Sequence, residues 1–581
     1  MFLFRSLRES VAVLAEDLIE TKYELRSYSV SKRHHNTVRE AHRSWLLSKP
    51  LQSLPKLLIS FGTCRRCLFT ASLSSVTLVS VVAGGVKQAS YHRRKMKKLF
   101  IVLLGFFPYF VVFVASLYPP SDLDLGWHLR YGEYFFTHGH ILRTNTFSTM
   151  MPNYQWVNHS WGTDVLTYAL FHIFGFFGLS IAAAVVVTLT FFFFSKAAGL
   201  SLWDEAILFP VLLILLDPLN AVSFRSQLIS LLFLGVLFYI ISSYIKQKPK
   251  KLFLAIPLFL LWANIHGEFI LGLVLFLIWI VSVIGLEVYH NKAKVNRPIF
   301  RQARTLLLIF LLAVAVTLIN PFGIGVYVET FKYFGNPMQN YISEWAPVPL
   351  SSGIGWRHIG MTVVSYFGIL GIYFTGKFKE KFPFILFAFM FTILPLWAER
   401  YAWPGYYIML FVLFPITHFF KLEKKKLRLL GTIGLLTSAF AFTFILKFPF
   451  SDVVDYSWDK YCRNDNIACS PNSAEFLSQH HLDDKLFSDY GWGGWLIWNY
   501  PNIKPTIDGR MPFWEDADGY SGFKEYLWYE QNFSDIDKSR YNVVYMSPNK
   551  PIYKRMEQLD SEGKWELVYQ DSYAGIFVRQ P

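Results

Sequence analysis

Long apolar runs constrain the fold of this chain more than any other feature of its sequence. Runs such as VLLGFFPYFVVFVASLY (102–118) and IAAAVVVTLTFFFFS (181–195) approach the length of about 20 residues that a helix needs to cross a bilayer. Only 17% of the 581 residues are charged, whereas soluble domains carry about 25%. The sequence therefore predicts a polytopic, mostly α-helical membrane protein.

Eleven apolar segments are candidates for membrane-spanning helices. Five basic segments separate some of them, at 93–98, 246–251, 292–304, 377–381 and 421–428. Because basic loops stay in the cytoplasm, eleven crossings place the N-terminus inside and residues 448–581 outside the cell membrane. These loops also account for the net charge of +15, so we expect no nucleic-acid partner. The candidate spans are 99–118, 176–196, 206–217, 225–245, 252–264, 268–287, 303–319, 358–375, 382–397, 403–420 and 428–447.

This topology requires that residues 161–175 do not cross the membrane. Their apolar residues recur at helical spacing, and Asp164 and His172 interrupt the run. The pattern predicts an amphipathic helix along the membrane surface. If this helix crossed instead, the basic loops would lie outside.

The two ends of the chain differ from the apolar region between them. Residues 1–95 mix charge and serine, and Met96 is followed by two lysines and an apolar run, as at the start of a membrane protein. We expect 1–95 to be an upstream extension or a poorly packed leader, with a genuine cytoplasmic domain as the alternative. In 448–581, strand-like pieces such as KPTIDG (504–509) and YNVVYM (541–546) alternate with helical ones such as FKEYLWYEQ (523–531), which predicts a small extracytoplasmic α/β domain.

The four cysteines form two pairs in the sequence. Cys64 and Cys67 have no second pair nearby, so we expect no zinc site there. Cys462 and Cys469 flank a polar hexapeptide in the tail. A small disulfide, if this region is extracytoplasmic, and two free thiols are both compatible with the sequence.

Charged and imidazole side chains gather in the segments that the topology places outside. Such groups are costly at membrane depth and usually face a cavity, so we expect one shared site at this face. The candidates come from the large first loop (119–175), from NIHGE (264–268) and from later outer loops. They are Asp122, Asp124, His128, Glu133, Trp156, His159, Arg225, Asn264, His266, Glu344 and Arg400.

Simpler roles remain open for several of these residues. Asp124 and His128 could form a pair on a surface helix, and His266 could contact a helix end. Arg225 could extend its side chain toward the interface, and the Trp and Tyr residues of the first loop could form an interfacial belt. Asp124 and His128, with Glu133, could instead bind a divalent metal such as Mg or Mn, although spacing alone is a weak indication.

Several motifs resemble those of membrane proteins with the GT-C glycosyltransferase-like architecture. DLGWHLRYGE (124–133), followed by Trp156 and His159, is similar to the first outer loop of these bacterial and archaeal proteins. The resemblance extends to the C-terminus from about Met96. Its other motifs are RSQ (225–227), WANIHG (262–267), NPFG (320–323), EW (344–345), FSDYGWGGW (487–495) and IDGR (507–510).

The resemblance implies a transferase that uses a polyprenyl-phosphate-linked sugar and acts on a glycan, lipid or protein acceptor of the cell envelope. In this architecture an acidic residue of the first outer loop serves as base or metal ligand; Asp124 matches that position, with Asp122 as the second choice. Relatives often have Trp at the position of Gly126. Because glycine has no ring, this chain cannot stack a side chain on a sugar there.

The remaining roles implied by the resemblance concern substrate binding. Arg225 or Arg400 would bind the donor phosphate, and the histidines would bind sugar or phosphate oxygens. In the tail, Asp489, Asp508 and Arg510 would contact substrate, with a buried turn and a structural ion pair as the alternative. A non-catalytic glycan- or lipid-binding protein of envelope assembly, and a flippase for lipid-linked sugars, remain alternative functions.

Overall fold

Apolar helices make up most of the described residues between 102 and 446, because a helix satisfies its own backbone polar groups where water is absent. The computed structural model describes residues 95–96, 99–100, 102–246, 248–290, 297–419, 425–446 and 451–581. The helices are α1 (Val102–Ala115), α2 (Leu125–His138), α3 (Trp161–Ala198), α4 (Leu202–Asn220), α5 (Ser226–Ile245), α6 (Ala255–Ile265), α7 (Phe269–His290), α8 (Arg297–Thr317), α9 (Gly325–Lys332), α10 (Gly353–Phe374), α11 (Phe378–Ile393), α12 (Ala402–Phe419) and α13 (Lys425–Leu446).

Each of the eleven predicted apolar segments coincides with one of these helices, whereas α2 and α9 lie in the loops between them. Among the described residues, four helices are long and apolar enough to cross a membrane, namely α3, α5, α7 and α8. The segments are therefore confirmed as helices, and the number of crossings stays a prediction. Residues 1–94, including the expected extension, lie outside the described residues.

A glycine divides α3 at the end of the segment expected to lie on the membrane surface. Gly175 has φ 61° and ψ −155°, a conformation outside the helical region that glycine adopts without the steric cost of a Cβ. Residues 161–174 and 176–198 are thus two helices that meet at this kink. The position of the first part along the bilayer surface stays a prediction.

The tail folds into a small mixed sheet with helices, as the alternation of its pieces predicts. β1 pairs with β2 in parallel, and β4 pairs antiparallel with both β2 and β3, in the order β1-β2-β4-β3. The elements are α14 (Ser451–Val454), α15 (Trp458–Cys462), α16 (Pro471–Gln479), β1 (Leu486–Ser488), α17 (Gly493–Asn499), α18 (Gly522–Gln531), β2 (Val543–Met546), α19 (Pro551–Ser561), β3 (Trp565–Gln570) and β4 (Gly575–Arg579). Short 3-10 turns occupy Pro249–Leu254, Pro337–Tyr341, Leu394–Leu396, Glu399–Tyr401, Tyr490–Trp492 and Phe533–Lys538.

One predicted strand, KPTIDG (504–509), is wrong. This segment runs beside β1, but its hydrogen bonds to β1 involve side chains and do not form the backbone pairing of a strand. The Thr506 N–H donates to Ser488 Oγ at 3.0 Å, and the Ser488 N–H donates to Thr506 Oγ1 at 2.9 Å. Thr506 Oγ1 also donates to the Leu486 carbonyl at 2.6 Å, which leaves the segment irregular at the sheet edge.

Cys462 and Cys469 form a disulfide, which decides between the two possibilities left open by the sequence. The bridge closes a short loop at the end of α15, and both cysteines are buried. The neighbouring Tyr461 hydroxyl donates to the Asp122 carbonyl at 2.6 Å. This contact ties the start of the tail to the first loop.

The tail packs against the first loop where helices α2 and α17 cross at a pair of glycines. A Cβ on Gly126 of α2 would lie 1.9 Å from the carbonyl oxygen of Gly494 in α17. A Cβ on Gly494 would lie 2.4 Å from the Leu123 carbonyl oxygen. The backbones of α2 and α17 therefore touch, and this contact explains why a glycine occupies position 126.

Gly126→Ala tests this crossing. The added methyl group has no space against the Gly494 backbone, so we expect a loss of about 1–3 kcal/mol of stability, typical of overpacking. The melting temperature of the purified full chain, followed by intrinsic fluorescence, should fall. Gly105→Ala in α1 is the control, because a Cβ there meets no atom within 4 Å. Equal melting temperatures for the two variants would contradict the assigned contact.

Candidate functional site

Two carboxylates stand at the start of α2, where the first loop enters that helix. Asp124 is the N-cap residue of α2, and its side chain makes no capping hydrogen bond. Its own N–H donates to Asp122 Oδ1 at 3.1 Å. The side chain of Asp122 is 7% exposed and that of Asp124 is 23% exposed. The local backbone thus buries one carboxylate and leaves the other accessible.

Arg225 lies immediately before α5 and contacts both carboxylates. Its Nε is 3.0 Å from Asp122 Oδ2, and its Nη2 is 3.9 Å from Asp124 Oδ2. Its Nη1 is 3.7 Å from Glu344 Oε2. The guanidinium is therefore bound closely by Asp122 and more loosely by the other two carboxylates.

Arg400 forms the second half of the same arrangement. Its Nη2 donates to Glu268 Oε1 at 3.0 Å, and its Nη1 is 3.9 Å from Glu344 Oε1. Its guanidinium lies over the ring of Trp345, 4.2 Å from the centroid. Glu344 thus stands between the two arginines. We call the whole set the arginine–carboxylate network: Asp122, Asp124, Arg225, Glu268, Glu344 and Arg400.

The network draws on segments that are far apart in the sequence. Arg225 and Glu268 directly precede the apolar helices α5 and α7, and Arg400 precedes α12 by one short turn. The expectation of one shared site at a single end of the helices, derived from the charge pattern, matches this placement. Arg400 pairs with Glu268 and Glu344, and no ion pair with its neighbour Glu399 forms among the described residues.

The surroundings of Asp124 raise its pKa, whereas those of Glu344 lower its pKa. Burial, followed by the nearby charge of Asp122, raises the pKa of Asp124 to about 6, although Arg225 opposes the shift. Burial alone would also raise the pKa of Glu344, but Arg225 and Arg400 outweigh it and lower that pKa. Near neutral pH, Asp124 can therefore exchange a proton while Glu344 stays ionised.

Two histidines lie beside the Arg400 side of the network. His266 Nδ1 is 2.8 Å from Ser230 Oγ and 3.6 Å from Glu268 Oε2. The ring of His159 is 5.9 Å from the His266 ring, and its Nδ1 is buried without a hydrogen-bond partner in the described part of the chain. Burial, with the charges of His266 and Arg400, lowers the pKa of His159 to about 3. His159 is thus neutral and has an unused polar atom.

The closest contact of His128 is with a carboxylate outside the network. Its Nδ1 is 2.6 Å from Oδ1 of Asp164, which is fully buried and also accepts from Asn158 Nδ2 at 2.6 Å. Burial would lower the pKa of His128, but the adjacent Asp164 raises it above its ordinary value. The Asp124–His128 side-chain pair, a simpler role left open by the sequence, is replaced by this contact, because α3 brings Asp164 against α2.

The tail covers Asp124. A Cβ on Gly509 would lie 1.8 Å from Asp124 Oδ1, so the Asp-Gly-Arg turn rests on that carboxylate. A residue larger than glycine at this position would displace the carboxylate. The tail therefore lies against the first loop at this turn.

Three predicted substrate contacts are instead buried packing residues. Asp508 and Arg510 form an ion pair with both side chains fully buried, joined at 2.7 Å. Arg510 also donates to Asn145 Oδ1 at 3.0 Å and lies 5.0 Å from the ring centroid of Trp156, which is itself buried. The substrate-binding prediction for Trp156, Asp508 and Arg510 is corrected, because these side chains fasten the tail to the first loop.

Three further predicted contacts also serve the fold. Glu133 pairs with Arg130, which donates to the carbonyl oxygens of residues 497 and 498 at the end of α17. Asn264 donates to the Ile319 carbonyl at 2.9 Å and accepts from Trp161 Nε1 at 3.2 Å. Asp489 is buried and accepts from the Gly491 N–H at 2.9 Å. Since these polar atoms already have partners, the structure gives no support for substrate binding by Glu133, Asn264 or Asp489.

A metal site does not emerge from the described residues. No group of three or more histidine, cysteine, aspartate or glutamate side chains there could hold an ion. Asp124, His128 and Glu133 have separate partners, Arg225, Asp164 and Arg130. The arrangement suggested by their spacing is therefore not formed.

Sequence reasoning missed an aromatic cluster beside Arg400. The rings of Tyr333 and Phe513 are 4.5 Å apart, and Trp345 lies 5.3 Å from Tyr333. His159 lies 5.9 Å from Tyr333 on the other side. Trp345 was contained in the EW motif, but Phe513 comes from the tail and only the folded chain brings it here.

Comparisons with known proteins gave structural matches alone. The chain is similar to ArnT from Cupriavidus metallidurans in the apo state, with 13% identity, a TM-score of 0.46 and coverage of 83% of this chain and 98% of that chain. It is similar to the Archaeoglobus fulgidus oligosaccharyltransferase in the apo form, with 11% identity, a TM-score of 0.46 and coverage of 78% and 70%. ArnT bound to undecaprenyl phosphate matches with 12% identity, a TM-score of 0.34 and coverage of 82% and 97%. No protein-family model and no curated protein matches the sequence.

A double substitution tests the closest contact of the network. Arg225→Gln leaves the buried Asp122 without its counter-charge, which should cost about 1–3 kcal/mol of stability, the typical penalty for an unsatisfied buried group. Asp122→Asn in the same chain removes that unpaired charge, so the double variant should recover part of the loss. Thermal melting of the four proteins measures the coupling. Strictly additive effects of the two substitutions would refute the ion pair.

Proposed function

We propose that this chain is a GT-C-type membrane glycosyltransferase. It moves a sugar from a polyprenyl-phosphate-linked donor to an extracytoplasmic acceptor in envelope glycan, lipid or protein glycosylation. The observation that carries the proposal is the arginine–carboxylate network, in which a partly exposed aspartate and two arginines lie at one end of a set of apolar helices. A base and two cations are the groups that a transfer from a lipid phosphate requires.

Asp124 is the base in this proposal. Its pKa of about 6 leaves most of the carboxyl ionised near neutral pH and keeps it basic enough to accept a proton. Asp122 is less suitable, because it is more buried and bound closely by Arg225 at 3.0 Å. Asp122 instead positions Asp124 through the backbone hydrogen bond and raises its pKa.

Arg225 and Arg400 hold the donor phosphate. Each has one close carboxylate, and each meets Glu344 at a longer distance, 3.7 Å for Arg225 and 3.9 Å for Arg400. A phosphate that enters between the two Nη1 atoms would replace these loose contacts with charge-assisted hydrogen bonds. The close partners, Asp122 and Glu268, would keep both guanidinium groups in place during the exchange.

The transfer then proceeds as a single displacement with inversion. Asp124 takes the proton from the acceptor hydroxyl, and the acceptor oxygen forms a bond to the anomeric carbon of the sugar. The bond from that carbon to the phosphate oxygen breaks, and the polyprenyl phosphate leaves with the electron pair. The two arginines stabilise the negative charge that develops on this leaving group. His159 and His266 contact oxygens of the sugar or phosphate.

The extracytoplasmic orientation is part of the proposal. The basic loops between the apolar helices favour a cytoplasmic location for the opposite end. The disulfide between Cys462 and Cys469 supports an oxidising compartment for the tail. The donor would enter laterally from the outer leaflet, where its lipid chain stays in the bilayer.

Asp124→Asn tests the assignment. The amide has nearly the same shape but cannot accept the proton, so we expect the transfer rate to fall by about 10²–10⁴-fold, the usual contribution of a general base. Membranes that contain the full chain are incubated with labelled polyprenyl-phosphate sugars, and label in the acceptor fraction is counted.

Asp459→Asn is the matched control, since Asp459 lies in α15 of the tail and makes none of the contacts of the network. Full transfer by Asp124→Asn would eliminate the proposed base. Translocation of label without transfer by the wild type would indicate a flippase, and binding alone would indicate a non-catalytic assembly protein.

A further inference from the structure

A cavity of about 500 Å³ lies between the end of α5 and the start of α8. Its polar lining comes from Tyr244, Arg301, Gln302 and Thr305, and Pro249, Pro298 and Leu306 form the apolar part. Gln302 Nε2 donates to the Tyr244 hydroxyl at 3.0 Å, which joins the two helices at this point. The cavity is therefore lined on one side by a cation, an amide and hydroxyl groups.

This cavity is at the opposite end of the helices from the arginine–carboxylate network. Arg225 precedes the first residue of α5, whereas Tyr244 is next to its last residue. The end of α8 lies near the network side, because the Ile319 carbonyl just beyond it accepts from Asn264. A helix of 20 residues spans about 30 Å, the thickness of the hydrocarbon core. With α5 as a membrane-spanning helix, the cavity would lie at head-group depth on the other membrane face.

Several basic side chains lie in the segments at this end of α5 and α8, and of these Arg301 lines the cavity. In the described part of the chain, no carboxylate forms an ion pair with any of the six basic side chains at this end of α5 and α8. Lys251 donates instead to the Tyr239 hydroxyl at 3.0 Å. The basic residues are Lys246, Lys248, Lys250, Lys251, Arg301 and Arg304.

We propose that this cavity binds the phosphate-bearing head group of an anionic membrane lipid. Arg301 provides the charge, and the Tyr244 hydroxyl and the second N–H of the Gln302 amide provide hydrogen-bond donors. The Thr305 hydroxyl already donates to the Arg301 carbonyl at 3.0 Å and only lines the cavity. The prolines and Leu306 face the glycerol and the first acyl carbons. Basic pockets between membrane helices bind anionic head groups in this way. A soluble phosphate would use the same donors, but the apolar part of the lining and the head-group depth favour a lipid. The inference is independent of the proposed transferase activity.

Melting of the purified full chain in detergent tests the lipid site. We titrate dioctanoyl phosphatidylglycerol, with dioctanoyl phosphatidylcholine and inorganic phosphate as the other two probes. The anionic lipid should raise the melting temperature to a plateau, and the other two should not at the same concentrations. Stabilisation by inorganic phosphate equal to that by the lipid would overturn the lipid assignment.

Two variants locate the site, and a third serves as control. Arg301→Gln should raise the apparent dissociation constant of phosphatidylglycerol about fivefold, as expected for one basic side chain near a membrane surface. Thr305→Phe should weaken binding as well, because it fills the cavity without changing charge. Arg304→Gln, one turn further along α8 and outside the lining, should have little effect. Unchanged binding by Arg301→Gln, or an equal loss by Arg304→Gln, would overturn the proposal.

Discussion

The contact between Arg225 and the carboxylates of the first loop is the interaction on which the candidate site depends. Asp122 and Asp124 are two residues apart, and their like charges repel. Arg225 lies 3.0 Å from one and 3.9 Å from the other, so it compensates them unequally. The result is one buried carboxylate close to the guanidinium and one more accessible carboxylate whose pKa is raised to about 6. This difference permits Asp124 to act as a base beside a cation.

The tail is part of the same structure and not a separate appendage. It contacts the first loop through the crossing of Gly126 and Gly494 and through Tyr461, which donates to the Asp122 carbonyl. Gly509 rests on the Asp124 carboxylate, and the buried Arg510 fastens the turn behind it. The tail therefore determines the position of the carboxylates that Arg225 compensates. A substrate would have to approach Asp124 from the side that the tail leaves open.

Much of this arrangement could be predicted from the sequence. The apolar segments are helices because their composition permits no other backbone pairing in lipid. The grouping of Arg225, Glu344 and Arg400 followed from the charge pattern, since all three lie in or next to the segments that the predicted topology places outside. The sequence also predicted elements of the tail such as β2 and α18, whereas α17 and α19 were not predicted.

The sequence could not show which polar side chains would make contacts within the fold and so be unavailable to a substrate. Trp156 lies in the first loop, and its partner Arg510 comes from more than 300 residues further along. Glu133 pairs with Arg130, whose other contacts are carbonyl oxygens of α17, equally far along the chain. Burial of Asp164 against His128 likewise depends on how α3 packs on α2. The strand predicted at 504–509 failed because Thr506 and Ser488 side chains take the place of backbone pairing, which no local propensity encodes.

The pH dependence of sugar transfer tests the central claim most directly. If Asp124 acts as a carboxylate base, the rate falls as pH decreases through about 6, because protonation removes the base. Since the charge of Asp122 raises the pKa of Asp124, Asp122→Asn should move this decline to lower pH. A decline that stays at the same pH in Asp122→Asn, or a rate that increases below pH 6, would contradict the assignment of Asp124 as the base.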